Sequence, residues 1–534
     1  MRHAASLRSH PRSGASRRTA FLTLALLACT ATVLPAADWP QYHGPLGDGS
    51  SLESVRTDWE EQPPRILWRR PIGPGWSSIA AQHGRIVTQE RRATPSGERE
   101  FCLALDAATG DPLWAVDVER ARYTDLAGYD DRIDGPRSTP TLDGDRVYLI
   151  TSHLKLLALH AGTGDIAWIR DFPQELGSSV LPWENAASPL LVGDLILLNA
   201  NAPGRRLMAV RKHDGSTAWS GQEVGLTHAT PVLAHLDGVA QAIFLTLPGL
   251  VSVVPETGAV LWRLEFSPSH TSTAASPVVA GNHVHASAAY AAGTWIGQIS
   301  RTDSGFTAVE TARQRGNAYQ LHWSTPVAHE GFIYAIPSPT SAQARLACLD
   351  PSAGTNRWTQ TQVGSGNIGF GSLIRAANSL IVLTESGELV LVPPNPQGYS
   401  ELGRFKILHA HCWNRPALAN GVLFARNSSL QSEIVAVDLS TAPPPLPPLR
   451  LATELPRNGG GVRLKVASLD GAPINPAWAG RLEVLSTPEL PGPPQPWPTV
   501  FAPLQPEGDA LVTELPADLG PIRFFRVQDR EGRP

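Results

Sequence analysis

The chain has 534 residues, 42% of them hydrophobic, and a formal net charge of −4. That length exceeds one ordinary domain unless a repeat architecture carries it, and the near-balanced charge excludes nucleic acid as a partner drawn by bulk electrostatics. The 47 glycines and 48 prolines favour turn-rich β structure, while Cys29, Cys102, Cys348 and Cys412 lie too far apart for a zinc knuckle or redox motif.

Residues 1–37 are expected to be a signal peptide. Arg2, Arg8, Arg12, Arg17 and Arg18 precede the apolar run 21–28, which is too short to span a bilayer. Two processing sites fit. Pro35-Ala36-Ala37 before Asp38 suits signal peptidase, and Leu26-Leu27-Ala28-Cys29 suits a lipobox that would lipidate Cys29. Either route exports the chain to the periplasm, the outer membrane or the cell surface, with no transmembrane span in the mature chain.

From residue 38 to 440 the pattern repeats. One half of the unit is a hairpin, seen as LLALHAGTGDIAWIRD at 156–171. Apolar alternation, a Gly turn and renewed alternation ending in Trp define it. Copies end at Trp114, Trp219, Trp262 and Trp358. The other half is Ser or Thr, Pro, a short apolar strand and a Gly or Asp turn, as at 138–150, 187–199, 229–233, 275–287 and 324–336. Weaker forms stand at 414–426, 77–89 and 371–383. Eight units of about four strands predict an all-β, eight-bladed propeller. The eighth unit stops after 433–440 without a Trp strand, whereas Ile66-Leu67-Trp68-Arg69-Arg70 is the end of a hairpin without a start. Pairing the two would close the ring and protect both sheet edges. Trp68, Trp114, Trp168, Trp219, Trp262 and Trp358 then read as structural fillers between blades. Units five and seven lack the Trp and are expected to be the loosest.

Residues 441–448 (TAPPPLPP) form a stiff Pro-rich linker. Beyond it, 449–534 is expected to be a small β-sandwich-like module, with strands at 462–467, 481–485, 510–514 and 522–527.

These paired signatures resemble the pyrroloquinoline-quinone-like (PQQ-like) propeller repeat over roughly residues 38–440. The opening Asp38-Trp39-Pro40-Gln41-Tyr42-His43-Gly44-Pro45-Leu46-Gly47-Asp48-Gly49 and the run Gly135-Pro136-Arg137-Ser138-Thr139-Pro140 are similar to exported bacterial members of unassigned function. The family spans quinoprotein alcohol dehydrogenases and a non-catalytic propeller lipoprotein of outer-membrane-protein assembly. For the dehydrogenases the resemblance implies a vicinal Cys–Cys disulfide over the quinone, Ca²⁺ held by Glu and Asn, and an Asp base. No two cysteines here are adjacent, and Glu184-Asn185 is the one pair of that kind. The expectation is therefore no PQQ, no Ca²⁺ and no other metal.

Alignment of the units on the Ser/Thr-Pro position places one residue per unit near the start of the innermost strand, at a channel mouth. That ring reads Trp76, Arg137, Ala186, His228, Ala274, Trp323, Phe370 and Trp413, with Glu184, Asn185, His322, His411, Asn414 and Arg415 as neighbours. Aromatic, concave and sparsely polar, it suits a small-molecule or peptide pocket. His228, His322 and His411 are the histidines a propeller would have to gather for a metal site. The acidic loop 123–137 is expected to fold over the same mouth. The function expected is an exported, non-catalytic scaffold that binds protein or polysaccharide in the envelope. Its rivals are a PQQ-dependent oxidoreductase and a small-ligand sensor.

Overall fold

The computed structural model describes residues 38–123, 131–222, 224–266, 274–316 and 320–441, and beyond these 449–454, 462–469, 474, 482–487, 499–500, 504–508, 510–515 and 524–529. The expected signal peptide with Cys29, the linker stretch 442–448 and the loop stretch 124–130 lie outside the described residues. Among the described residues, no helix is long and apolar enough to cross a membrane.

The fold is a β-propeller. Between residues 65 and 438 the described residues form eight four-stranded antiparallel sheets, here called blades one to eight in chain order. Seven are built from consecutive strands. The eighth combines Ala417–Ala419, Val422–Arg426 and Glu433–Asp438 with Arg65–Pro71 from the other end of the sequence. In that pair Ile66 faces Val437, Trp68 faces Ala436 and Arg70 faces Ile434, with a register shift that leaves Leu67 out of the ladder.

The Ser/Thr-Pro signature has a physical cause. In five places a hydroxyl accepts from the backbone N–H of the equivalent residue one blade earlier. Ser78 N–H donates to Thr139 Oγ1 at 3.0 Å, Thr139 N–H to Ser188 Oγ at 2.9 Å, and Ser188 N–H to Thr230 Oγ1 at 2.9 Å. Ser276 N–H donates to Thr325 Oγ1 at 3.0 Å, and Arg415 N–H returns to Ser78 Oγ at 2.9 Å. This belt satisfies buried amides that the short inner strands leave unpaired. Blade eight carries Arg415 where the others carry a hydroxyl, and that side chain is free for other work.

The tryptophans join blades at the outer rim. Trp68 Nε1 donates to the Ala107 carbonyl at 3.0 Å, Trp114 to Ala161 at 2.9 Å, Trp168 to Lys212 at 3.1 Å, Trp219 to Pro255 at 2.8 Å and Trp358 to Asn395 at 2.9 Å. Each acceptor lies in the outer turn of the next blade. The glycines of those turns are needed twice over. Gly215 has φ +74°, and a Cβ there would lie 2.9 Å from the Trp168 ring.

One filler bonds differently, and one expectation is corrected. Trp262 is buried in a cluster shared with Val284, Ala286 and Ala288 of blade five, but its Nε1 donates to Gln241 Oε1 within blade four, at 2.7 Å, and not to the turn of the next blade. Blade five offers it no matching turn, since its outer hairpin is extended to Gly293–Thr302 and Gly305–Gln314. Trp295 joins it in that seam, buried against Phe266 with ring centroids 3.5 Å apart. Blade seven is not loose either. Ile374, Ile381, Leu383, Leu389 and Leu391 are fully buried in one cluster with blade eight. Aliphatic packing replaces the indole there.

The C-terminal segment forms a four-stranded and a three-stranded sheet around one apolar cluster that includes Leu464, Val466, Val484 and Leu511. The two sheets share this core as the layers of a sandwich do.

Candidate functional site: an aromatic mouth over a plugged channel

The site begins with the opening segment, which lies inside the channel. Trp39 exchanges backbone hydrogen bonds with Ala81, the Leu142 N–H donates to the Pro40 carbonyl at 2.7 Å, and Gly49 and Ser51 bracket Arg375. All three partners belong to inner strands, so the segment forms a floor beneath the expected ring. Gly49, at φ +82°, is the tightest point, where a Cβ would meet Arg415 Nη2 at 1.9 Å.

Above this floor is a cavity of about 360 Å³, within the size range of small-molecule sites, roughly 300–1,000 Å³. All eight ring residues line it: Trp76, Arg137, Ala186, His228, Ala274, Trp323, Phe370 and Trp413. His322 and Arg415 line it too, and so do Tyr42, Ser78, Trp183, Thr230 and Tyr290, which the sequence did not single out. Trp76 stacks on Trp413 with centroids 4.6 Å apart and planes at 20°. Trp323 lies 4.9 Å from Trp413 and 4.7 Å from Phe370. Trp183 (φ +69°) and Tyr290 (φ +56°) enter from loops whose next residues, Glu184 and Ala291, are also left-handed. Bulky residues rarely adopt that conformation, and holding it costs on the order of 1–3 kcal/mol each.

Four of the named neighbours do not line the cavity, which corrects their placement. Glu184 is buried and pairs with Arg137 at 3.4 Å. Asn185 donates to the Ala187 carbonyl at 3.0 Å, and Asn414 donates to the Ser77 carbonyl at 2.9 Å as a staple between blades eight and one. His411 bonds Glu385 through Nδ1 at 3.2 Å.

The polar groups fall into three sets. Arg137 makes a two-point contact with Asp134, at 2.9 and 3.0 Å, and lies over the rings of Tyr123 and Trp183. Asp134 Oδ1 also accepts from Trp76 Nε1 at 3.1 Å. The run Gly135-Pro136-Arg137 is fixed by its surroundings. The Pro136 carbonyl accepts from the N–H groups of Trp76 and Ser77, and Gly135 has no room for a Cβ beside the Pro74 carbonyl. Tyr123 in turn donates to Glu100 Oε1 at 2.8 Å, and burial pushes that carboxyl up to about 7.

The second set centres on Glu385, which the sequence reading missed. Its Oε1 accepts from Trp413 Nε1 at 2.8 Å and from His411, and its Oε2 accepts from Phe370 N–H at 3.0 Å and from Ser341. Burial works to raise its pKa, but these four bonds outweigh it and hold the carboxyl below its ordinary value.

The third set is in the floor. Arg415 is 3% exposed and donates to the Leu373 carbonyl at 3.2 Å and to His43 Nδ1 at 3.1 Å. Burial, then the adjacent Arg415, drives the His43 pKa well down. The imidazole is therefore neutral and accepts through Nδ1.

His228 Nε2 bonds the Pro182 carbonyl at 3.1 Å and His322 Nδ1 bonds the Ser338 carbonyl at 2.7 Å, so the three candidate histidines each face a different partner. Among the described residues, no group of three or more His, Cys, Asp or Glu is placed to hold a metal ion. The residues present do not fit a quinone with Ca²⁺. Cys102, Cys348 and Cys412 are separately buried thiols. The Glu184 carboxylate is spent on Arg137, and Asn185 turns to backbone, whereas a hard cation needs six or more oxygens.

A family model described as outer membrane protein assembly factor BamB matches residues 65–180 and 98–360. BamB of Moranella endobia (strain PCIT) is 24% identical over 299 residues, covering 53% of this chain and 68% of that protein. Among solved structures, quinohemoprotein alcohol dehydrogenase from Comamonas testosteroni matches with a TM-score of 0.52 at 11% identity, covering 78% of this chain and 83% of the other. BamB from Moraxella catarrhalis matches at 16% identity, covering 70% and 97%, with a TM-score of 0.46.

Proposed function

This chain belongs to the propeller family described as outer membrane protein assembly factor BamB, and from that membership we propose that it is an exported, non-catalytic scaffold that binds a protein partner in the cell envelope. The observation that carries this reading is the mouth. Its walls are aromatic faces, and the carboxylates nearest to it, Asp134, Glu184 and Glu385, are already engaged by Arg137, Trp76, Trp413 and Phe370. Such a surface suits recognition, which rigid frames with loop-built faces perform well. Among the described residues, no Asp or Glu lines it to serve as a carboxylate base, and no metal cage of the kind that alcohol oxidation would use stands beside it. Export rests on residues 1–37, and N-terminal sequencing that begins at Asp38, or a lipid on Cys29, tests it.

Photo-crosslinkers at Tyr290, half-exposed at the mouth, and at Val309, 60% exposed on the outermost strand of blade five, test the scaffold in intact cells. A protein crosslinked from Tyr290 and not from Val309 is the expected result. Crosslinks to polysaccharide alone would change the partner class. Dye-linked alcohol oxidation by purified protein given PQQ and Ca²⁺ would overturn the non-catalytic reading.

A further inference from the structure

The opening segment does more than floor the mouth. It adds to the channel side of the ring at three isolated β-bridges: Trp39 with Ala81 in blade one, Ser50 with Arg375 in blade seven, and Val55 with Ser440 at the end of blade eight. Around them, the Pro40 carbonyl accepts from Leu142 N–H of blade two at 2.7 Å, and the Glu53 carbonyl accepts from Ala377 N–H of blade seven at 2.8 Å. The Glu53 carboxylate accepts from Asn420 and Gly421 N–H of blade eight, at 3.2 and 2.5 Å. Residues 38–56 thus bond the two blades on each side of the seam where the ring closes. The same stretch of chain then becomes Arg65–Pro71, the strand that closes it. The apolar anchors agree. Trp39, Val55 and Trp59 of the segment and Trp68 of the strand are buried in one cluster with Ile374 of blade seven, Val435 of blade eight and Leu103 of blade one. The closing strand needs that help. In the next seam Val116 and Val118, two and four places beyond Trp114, pack in one cluster with Leu157 and Leu159 of blade two. The same places beyond Trp68 hold Arg70 and Ile72. The strand ends at Pro71, and an open cleft of about 390 Å³ remains among Ile72, Leu103, Leu105, Pro112 and Trp114.

We propose that residues 38–71 work as one latch, in which strap and closing strand seat and release together, ahead of the rest of the propeller. The strands of blades one to seven are tied to one another by short turns, whereas this unit joins the propeller through a single connection after Pro71. Groups that share one packed cluster open cooperatively, and a unit held by one connection opens before those held by two. The latch carries part of the mouth with it. Tyr42 lines the cavity, and Gly49 lies so close to Arg415 that a Cβ would meet its Nη2 at 1.9 Å. Release therefore removes the floor of the mouth along with the last strand of the ring, and the mouth is complete only in a closed ring. A partner held at the mouth would in turn favour the seated latch, because linkage is reciprocal. That consequence rests on the mouth being the recognition end, and the latch itself does not.

Native-state hydrogen exchange of the full mature chain in low denaturant, read by mass spectrometry, tests it. Peptides covering 39–56 and 65–71 are expected to share one opening free energy and one denaturant slope. Both should exchange at least about tenfold faster than the blade four strand Gly249–Val253. This measurement leaves the protein unaltered, so it does not depend on a variant that must fold. Two variants then read the coupling from each end. Gly49→Ala, at φ +82° and against Arg415, is expected to speed exchange about tenfold in 65–71 and 433–438 with blade four unchanged. Trp68→Ala is expected to do the same in 39–56. Different slopes for strap and strand would overturn the proposal, as would exchange of both only at the rate of blade four. An effect of Gly49→Ala confined to 39–56 would overturn it too. The crosslinks at Tyr290 bear on the mouth reading alone.

Discussion

The propeller uses tryptophan twice, at the rim and at the mouth, for opposite ends. At the rim, Trp114, Trp168 and Trp219 each donate to one carbonyl of the next blade and lie on the glycine of its turn. Nothing there is left over. At the mouth, Trp76 and Trp413 stack on each other and donate to carboxylates, while Trp323 Nε1 has no partner. The same side chain is a closed contact where it repeats and an open one where it gathers. Periodic indoles hold the blades together, and the clustered ones line the cavity.

Substitutions separate the two sets. Trp168→Ala is expected to lower stability most, by about 4 kcal/mol, through lost burial and an orphaned carbonyl on Lys212. Denaturant unfolding would show it. A loss under about 1 kcal/mol would mean that the rim contact is not structural.

The supports of the mouth respond to pH, whereas the rim contacts end on carbonyls and do not. Glu100 has its pKa raised to about 7, so the native state takes up a proton before the unfolded chain does as pH falls. Stability should therefore drop, by on the order of 3 kcal/mol, as pH rises from the ordinary carboxyl range through 7. Glu100→Gln should remove that slope, which unfolding at pH 5 and pH 8 would reveal. Glu385 has the opposite sign. Its lowered pKa gives stability that is present above the ordinary carboxyl value and lost as pH falls through its own. Glu385→Gln is expected to cost about 2 kcal/mol at neutral pH and to remove that acid loss. Trp323→Ala should be mildest in unfolding, about 1 kcal/mol, because it also deletes an unpaired buried donor. Its effect belongs in binding, and a stability loss equal to that of Trp168→Ala would erase the distinction.

The ring at the mouth was readable because it shares the period of the blades. Once units were aligned on Ser/Thr-Pro, the residue three places earlier had to fall at the same height in every blade. Tyr42, Trp183, Tyr290 and Glu385 have no such register. They sit on connections or the opening segment, and only tertiary closure brings them to the cavity. The looseness expected of blade seven failed for a related reason. A missing Trp is visible in sequence, but the aliphatic contacts of Ile374 and Leu389 with blade eight are not. Glu184, Asn185 and Asn414 were near the ring in sequence, yet each is kept out of the cavity lining by a nearer partner.

The closing strand also sets a timetable. Arg65 and its partner Asp438 are 373 residues apart in the chain. At synthesis rates of about 5–20 residues per second, Arg65–Pro71 is made about 20–75 seconds before the strand that completes it. Through that interval an unpaired β edge must be kept from other chains. Arg65, Arg69 and Arg70 place three positive charges on this seven-residue strand, a device that discourages edge-to-edge association. In the finished ring each finds an acidic partner, Asp438, Glu433 and Asp111. The charges that keep the strand solitary while it waits become its contacts once the wait is over.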